Sequence, residues 1–166
     1  MPLVATLLQQ GLLSTAMETS HGKNLACAPV KHIMPPHITA IDHLVLSAGD
    51  IDKTVHFYCD ILGMSLSRFT PAGGRAERLA LCFGQQKINL HDAAAPYRPH
   101  AENPVAGAVD ICLLTDTPLG EWQAHLAAHN IEIEEGPVPR SGAIGPITSL
   151  YLRDPDGNLV EISYPS

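Results

Sequence analysis

Positive charge is scarce in this chain: Lys and Arg number 10 against 17 Asp and Glu, a formal net charge of −7. A nucleic-acid binder needs a basic face to neutralise phosphates, so the balance argues against nucleic acid as a partner. Aromatic residues make up only 5%, which disfavours a stacking cage for flat ligands. Cysteine is confined to Cys27, Cys59, Cys82 and Cys112, with no C-x-x-C pair and none of the dense spacing of a disulfide scaffold. That usage suits a reducing compartment, and a cytoplasmic location is expected. Long apolar runs are missing as well. The stretch Leu3–Leu13 is interrupted by Gln9, Gln10 and Gly11; it is too short to span a bilayer and has no basic segment before it, so no membrane partner is expected. Organelle targeting is the alternative for this stretch. Its support is that Glu18 is the only acid before Asp42, and against it no Arg precedes Arg68.

What is present is enough apolar residue for a core, at 45% hydrophobic against 16% charged. Thr19–His37 holds Ser, Gly, Asn and the prolines Pro29, Pro35 and Pro36 without an apolar period. Residues 1–37 therefore read as a flexible N-terminal extension, and residues 38–166 as one domain. In that domain a plan occurs twice. Ile41–Ser47 alternates as a strand, Asp50 or Asp52 can cap a following helix, and Gly63 stops it in the left-handed conformation. Asp110–Thr115 is again a strand, Pro118 opens a helix with the stripe Leu119, Trp122 and Leu126, and Asn130 ends it. His43 to Asp110 and Gly63 to Asn130 share one offset (110 − 43 = 130 − 63 = 67). Three strand-like runs follow each helix: Met64–Phe69, Arg78–Phe83 and Lys87–His91, then Ile131–Glu135, Thr148–Arg153 and Asn158–Tyr164. Asp154–Gly157 supplies the turn before the last. The fold class is α+β: two βαβββ modules, about 38–104 and 105–166, pairing into a curved mixed sheet backed by helices.

Side chains alternate faces along a strand. The pairs Leu44/Leu46, Ile88/Leu90, Ile111/Leu113 and Val160/Ile162 take one face of their strands; His43, His91, Asp110 and Glu161 all fall on the other. Two imidazoles and two carboxylates on one surface suit a divalent metal. The plain alternative is an exposed polar face whose members are unrelated. His56, His125 and His129 lie off the apolar stripes and read as solvated helix residues, and Lys87 as a rim charge.

The runs Ile41–Leu46, Phe57–Tyr58 with Ile61–Met64, and Arg153–Ile162 resemble the vicinal oxygen chelate superfamily, which comprises the glyoxalase I, bleomycin-resistance and extradiol-dioxygenase proteins. The likeness covers Thr39–Ser163. Phe83–His91 and Glu135–Ala143 look closest to its glyoxalase domain-containing members. The resemblance implies a cleft between paired modules, where a metal is chelated by a substrate with neighbouring oxygens. It maps the first-strand ligand onto His43 and the last-strand glutamate onto Glu161. Asp110 stands where glyoxalase I has His or Glu, and Asn89 where it has Glu. His91, two residues on, is taken to supply the missing ligand, so the expected metal set is His43, His91, Asp110 and Glu161. The metal would be Zn, Ni, Mn, Co or Fe.

The implied function is a glyoxalase I-like lyase or isomerase. Its substrate would be a small carbonyl compound with neighbouring oxygens, a glutathione adduct being one form. Glu161 would be ligand and general base, and Arg140, in a flexible loop, a clamp on an anionic substrate group, with a surface Arg as the plain reading. A homodimer is implied, with His43 and His91 from one chain and Asp110 and Glu161 from the other. Two alternatives stand beside it: a non-catalytic module that sequesters a ligand, and an iron(II) extradiol-type dioxygenase.

Overall fold

Each module begins with the expected half-apolar strand and ends its helix where expected, in a computed structural model that describes residues 35–74 and 76–166. Leu3–Leu13 and nearly all of the expected N-terminal extension lie outside the described residues. Thr39–Ser166 forms one compact unit.

Strand β1 (His43–Ala48) leads to helix α1 (Ile51–Val55), which continues as a π-helix over His56–Ile61. Asp50 is the cap: its carboxylate accepts the Lys53 backbone N–H at 3.1 Å. The wider turn has a physical reason. It lets the consecutive rings of Phe57 and Tyr58 both reach the core, at 2% and 0% exposure, where an ordinary α-helix would turn one of them outward. Strands β2 (Ser65–Phe69), β3 (Arg78–Phe83) and β4 (Gln86–Asp92) follow. The second module repeats the order with β5 (Asp110–Leu114), α2 (Leu119–Ala128), β6 (Ile133–Ser141), β7 (Pro146–Arg153) and β8 (Leu159–Pro165). Gly63 and Asn130 both close their helices at positive φ, 77° and 57°, the conformation that Gly and Asn tolerate best.

The two four-stranded mixed sheets run β1-β4-β3-β2 and β5-β8-β7-β6. In each, the first strand is an edge, parallel to the last. The aliphatic faces of both sheets meet the helices in a single core, in which Leu46, Leu81, Ile88 and Leu90 join Leu152, Val160 and Ile162 around Tyr58, Ile61 and Leu126. The opposite face of each sheet carries the polar residues. No helix among the described residues is long and apolar enough to cross a membrane.

A buried polar joint ties the modules together. The Tyr58 hydroxyl donates to Asp154 Oδ2 at 3.1 Å, and the Asn158 amide donates to the same oxygen at 2.7 Å. The other carboxylate oxygen accepts the backbone N–H groups of Asp156 and Asn158. Asn158 Oδ1 then accepts the Val109 N–H at 2.9 Å. Next to it, the Asp156 carboxylate accepts the Gly49 N–H. The Asp154–Gly157 turn therefore does more than reverse the chain: it anchors the first module's helix to the second module's sheet.

Candidate functional site

His43 stands on edge strand β1 with Asp42 before it, and the Asp42 carboxylate lies 2.6 Å from His43 Nδ1. With the Nδ1 proton held there, the Nε2 lone pair is left free to bind an electrophile, the arrangement that orients metal-binding histidines. The Asp42 carboxyl is held below its ordinary range, chiefly by that hydrogen bond.

The strand registers give the two half-sites the same layout. His43 pairs with Lys87, so Asn89 lies two residues further along on the same face. Asp110 pairs with Leu159, so Glu161 lies two residues further along on its face. Asn89 is therefore the positional counterpart of Glu161, and its Oδ1 is buried without a hydrogen-bond partner. His91 pairs with Ser47, four residues along from His43, which is about 13 Å at the rise of a strand. His91 thus lies one pleat beyond the position that matches Glu161. Its Nδ1 is also buried without a partner, and burial, then the charge of Arg78, depress its proton affinity.

Glu161 sits in a pre-built hydrogen-bond cradle. Ser163 Oγ donates to its Oε1 at 3.2 Å; Ser149 Oγ and Cys112 Sγ lie 2.8 and 3.2 Å from Ser163 Oγ. Burial pushes the Glu161 carboxyl up, but hydrogen bonds from Ser149, Tyr151, Ser163 and Cys112 outweigh it and hold the group below its ordinary range. Glu161 makes no ion pair among the described residues.

Tyr151 carries no signal in the single sequence, and its role comes from register alone. It pairs with Glu161 on one side and Glu135 on the other. Arg140 Nε donates to its hydroxyl at 3.0 Å, which leaves the phenol proton for Glu161. Arg140 itself is not in a loop as expected. It lies in β6, which runs on to Ser141 because Arg140 and Ser141 pair with Ile147 and Pro146. Its remaining nitrogens donate to the Pro139 carbonyl and the Glu135 carboxylate, the latter at 2.8 Å.

Of the residues expected to share a site, Asp110 and Glu161 share the polar face of the second sheet, and His43 and His91 that of the first. A groove of about 480 Å³ runs between the edge strands β1 and β5, with His43, Lys87 and Phe83 among its walls on one side and Cys112 and Leu114 on the other. No three His, Cys, Asp or Glu side chains among the described residues come close enough to hold a metal ion within one chain. His56, His125 and His129 are exposed as expected; His56 also meets Asp60 at 2.7 Å, and His125 Nε2 meets the Ile61 carbonyl at 2.9 Å.

Two βαβββ modules, each offering a polar sheet face with a histidine or carboxylate on its edge strand, define the paired-module class of small-molecule-binding folds. The chain belongs to the Glyoxalase/Bleomycin resistance protein/Dioxygenase superfamily, whose profile matches residues 40–162. It is 47% identical over 126 residues to the virulence protein STM3117 of Salmonella typhimurium, covering 76% of this chain and 84% of that one. Identity is 45% to the glyoxalase domain-containing protein RDO1 of Mycosarcoma maydis, covering 76% and 68%. Among solved structures, the integron cassette protein VCH_CASS1 of V. cholerae superposes with a TM-score of 0.74 at 46% identity, covering 80% and 100%. The lactoylglutathione lyase of Agrobacterium tumefaciens superposes at 0.57 with 28% identity, covering 78% and 95%.

Proposed function

We propose that the protein is a glyoxalase I-like, metal-dependent lyase or isomerase whose site forms between the first sheet of one copy and the second sheet of another. The carrying observation is Glu161: a half-buried carboxylate, held ionised by four neutral donors, with no cation paired to it among the described residues. Such a group is a costly thing to preserve unless a positive charge arrives from outside the chain. The donor set fits a divalent ion. His43 offers a free Nε2, Asn89 an unpartnered amide oxygen, and Asp110 and Glu161 two carboxylates, a nitrogen and oxygen mix suited to Zn, Ni, Mn, Co or Fe. In this reading Asn89 takes the place expected of His91.

Assembly across copies is supported by the split of the set in one chain, by the unpaired outer edges of β1 and β5, and by exposed apolar residues on those strands, Val45 at 44% and Leu114 at 67%. A homodimer of this kind, in a cytoplasm that keeps Cys59, Cys82 and Cys112 reduced, is part of the proposal.

The substrate is a small carbonyl compound with two neighbouring oxygens, as free compound or glutathione adduct. A divalent ion, when bound, supplies Lewis acidity toward those oxygens. Glu161 takes the proton from one oxygen-bearing carbon and returns it to the carbon beside it, which completes the isomerisation, and the Ser149–Ser163 cradle keeps its carboxylate aimed and ionised beforehand. Tyr151, fixed by Arg140 and Glu135, positions Glu161 from the far side.

Metal content of the purified chain and its turnover of methylglyoxal with glutathione test the proposal. Stoichiometric metal that falls in both His43→Ala and Glu161→Ala, together with activity, is the expected result. A metal-free preparation that no divalent ion reconstitutes would sink it.

A further inference from the structure

The first sheet's polar face carries an unexplained surplus of positive charge. Of the cations in the described fold, Lys53, Arg68, Arg140 and Arg153 each pair with a carboxylate. Arg78, Lys87 and Arg98 do not; Arg98 is exposed, whereas Arg78 and Lys87 are half-buried. Each rests on an aromatic ring instead: the Arg78 guanidinium lies 4.6 Å from the Tyr97 ring centre, and the Lys87 ammonium 4.9 Å from that of Phe69. These rings are at one end of the face. Phe69 pairs with Arg78 across β2 and β3. Arg78, one residue beyond the Leu79–Leu90 pair, is level with His91. The His91 ring, 6% exposed, stands edge-on to Tyr97 at 5.3 Å, with Nδ1 unpartnered.

Lys87 stands opposite His43 and within the field of the Asp42 carboxylate. The half-desolvated Arg78 guanidinium has no ion-pair partner among the described residues, and in a chain of net charge −7 it forms a receptor for an anion. Arg78 has the planar donor fork that matches a carboxylate, and a stacked ring beneath it keeps the fork rigid. The same positive charge makes this end unsuitable for a cation, which accounts for His91 lying outside the proposed metal set.

We propose that this corner binds a carboxylate at the distal end of the substrate, with Arg78 as the anchor and His91 as a hydrogen-bond partner. The inference rests on the reading of the His43 end as the reacting end. It then sets the substrate's shape: a molecule whose neighbouring oxygens and carboxylate are separated by about 13 Å, the length of face between His43 and His91.

Succinate is the probe, titrated into the full chain in the presence of EDTA while the His91 ring resonances are followed by NMR. Working without metal separates the outcome from that of the metal assay. Wild type is expected to show a saturable shift of the His91 resonances, weakened about tenfold or more in Arg78→Gln and largely kept in Arg78→Lys, since the charge-assisted bond goes in one and the charge stays in the other. Uncharged succinamide is expected to give no saturable shift. The proposal is overturned if succinate moves no His91 resonance, if Arg78→Gln binds as wild type does, or if succinamide binds equally well. Unchanged dispersion of the remaining resonances in Arg78→Gln is the check that loss of binding there is not a failure to fold.

Discussion

Removing one oxygen from Tyr58 tests the joint between the modules. The ring is fully buried, so Tyr58→Phe leaves packing unchanged and deletes only the hydroxyl that donates to Asp154 Oδ2. Burial, with the adjacent Asp154 carboxylate, raises the phenol's proton affinity, so the group is a donor at every working pH. A hydrogen bond to a charged acceptor contributes about 1.5–3 kcal/mol. The low end applies here, because Asp154 keeps its bonds from the Asn158 side chain and two backbone N–H groups. The expected loss is about 1.5 kcal/mol by urea unfolding, or about 5 °C in melting temperature for a unit of this size. Asp154→Ala goes further. It strands the Tyr58 hydroxyl, the Asn158 amide and two backbone donors in the core, and about 3–5 kcal/mol is expected. The exposed Arg153–Glu134 pair serves as control, since such surface pairs contribute about 0–1 kcal/mol. If Tyr58→Phe falls within the range of an Arg153→Ala control, the joint holds nothing together and the reasoning fails.

Two further outcomes follow from the perturbed groups. Glu161 is held below the ordinary glutamate range partly by Tyr151, so its carboxyl titration, read by NMR, should have a midpoint below that of an ordinary glutamate and move upward in Tyr151→Phe; an unchanged midpoint would remove Tyr151 from the site. The proton affinity of His91 is lowered in the fold by burial and then Arg78, so the unfolded chain binds its proton more readily. Stability from this group is present above the ordinary histidine value of about 6.5 and is lost as pH falls through the lowered one. Melting temperatures measured from pH 7.5 downward should therefore decline, and the decline should be shallower in His91→Gln; equal slopes would contradict the assignment.

Much of the fold was legible because a period of two is visible in a single strand. Leu44 and Leu46 against His43, or Val160 and Ile162 against Glu161, show which face is buried without knowledge of the partner strand. The shared offset of His43 with Asp110 and of Gly63 with Asn130 disclosed the repeat, and both helix ends adopt the left-handed conformation those residues favour. Parity says nothing of register. It put His91 on the right face of β4 but could not show that His91 faces Ser47, four residues from His43, while Asn89 matches Glu161. Cross-strand relations were hidden for the same reason. Arg140, in a Gly- and Pro-rich run, has the composition of a loop, and only its pairing with Ile147 draws it into β6 and toward Tyr151. The π-helix was equally hidden, since an apolar stripe of Val55, Tyr58, Ile61 and Leu62 fits an α-helix until the ring of Phe57 must also be buried.

The central claim is a metal site shared between two copies, and subunit mixing measures it most directly. His43→Ala and Glu161→Ala chains are unfolded together in equal amounts, refolded and assayed for bound metal. Each variant alone should hold little. In a mixed dimer one of the two sites combines an intact first sheet with an intact second sheet, so the mixture should recover about a quarter of the wild-type metal content. A mixture that binds no more metal than its separate components would contradict the shared site.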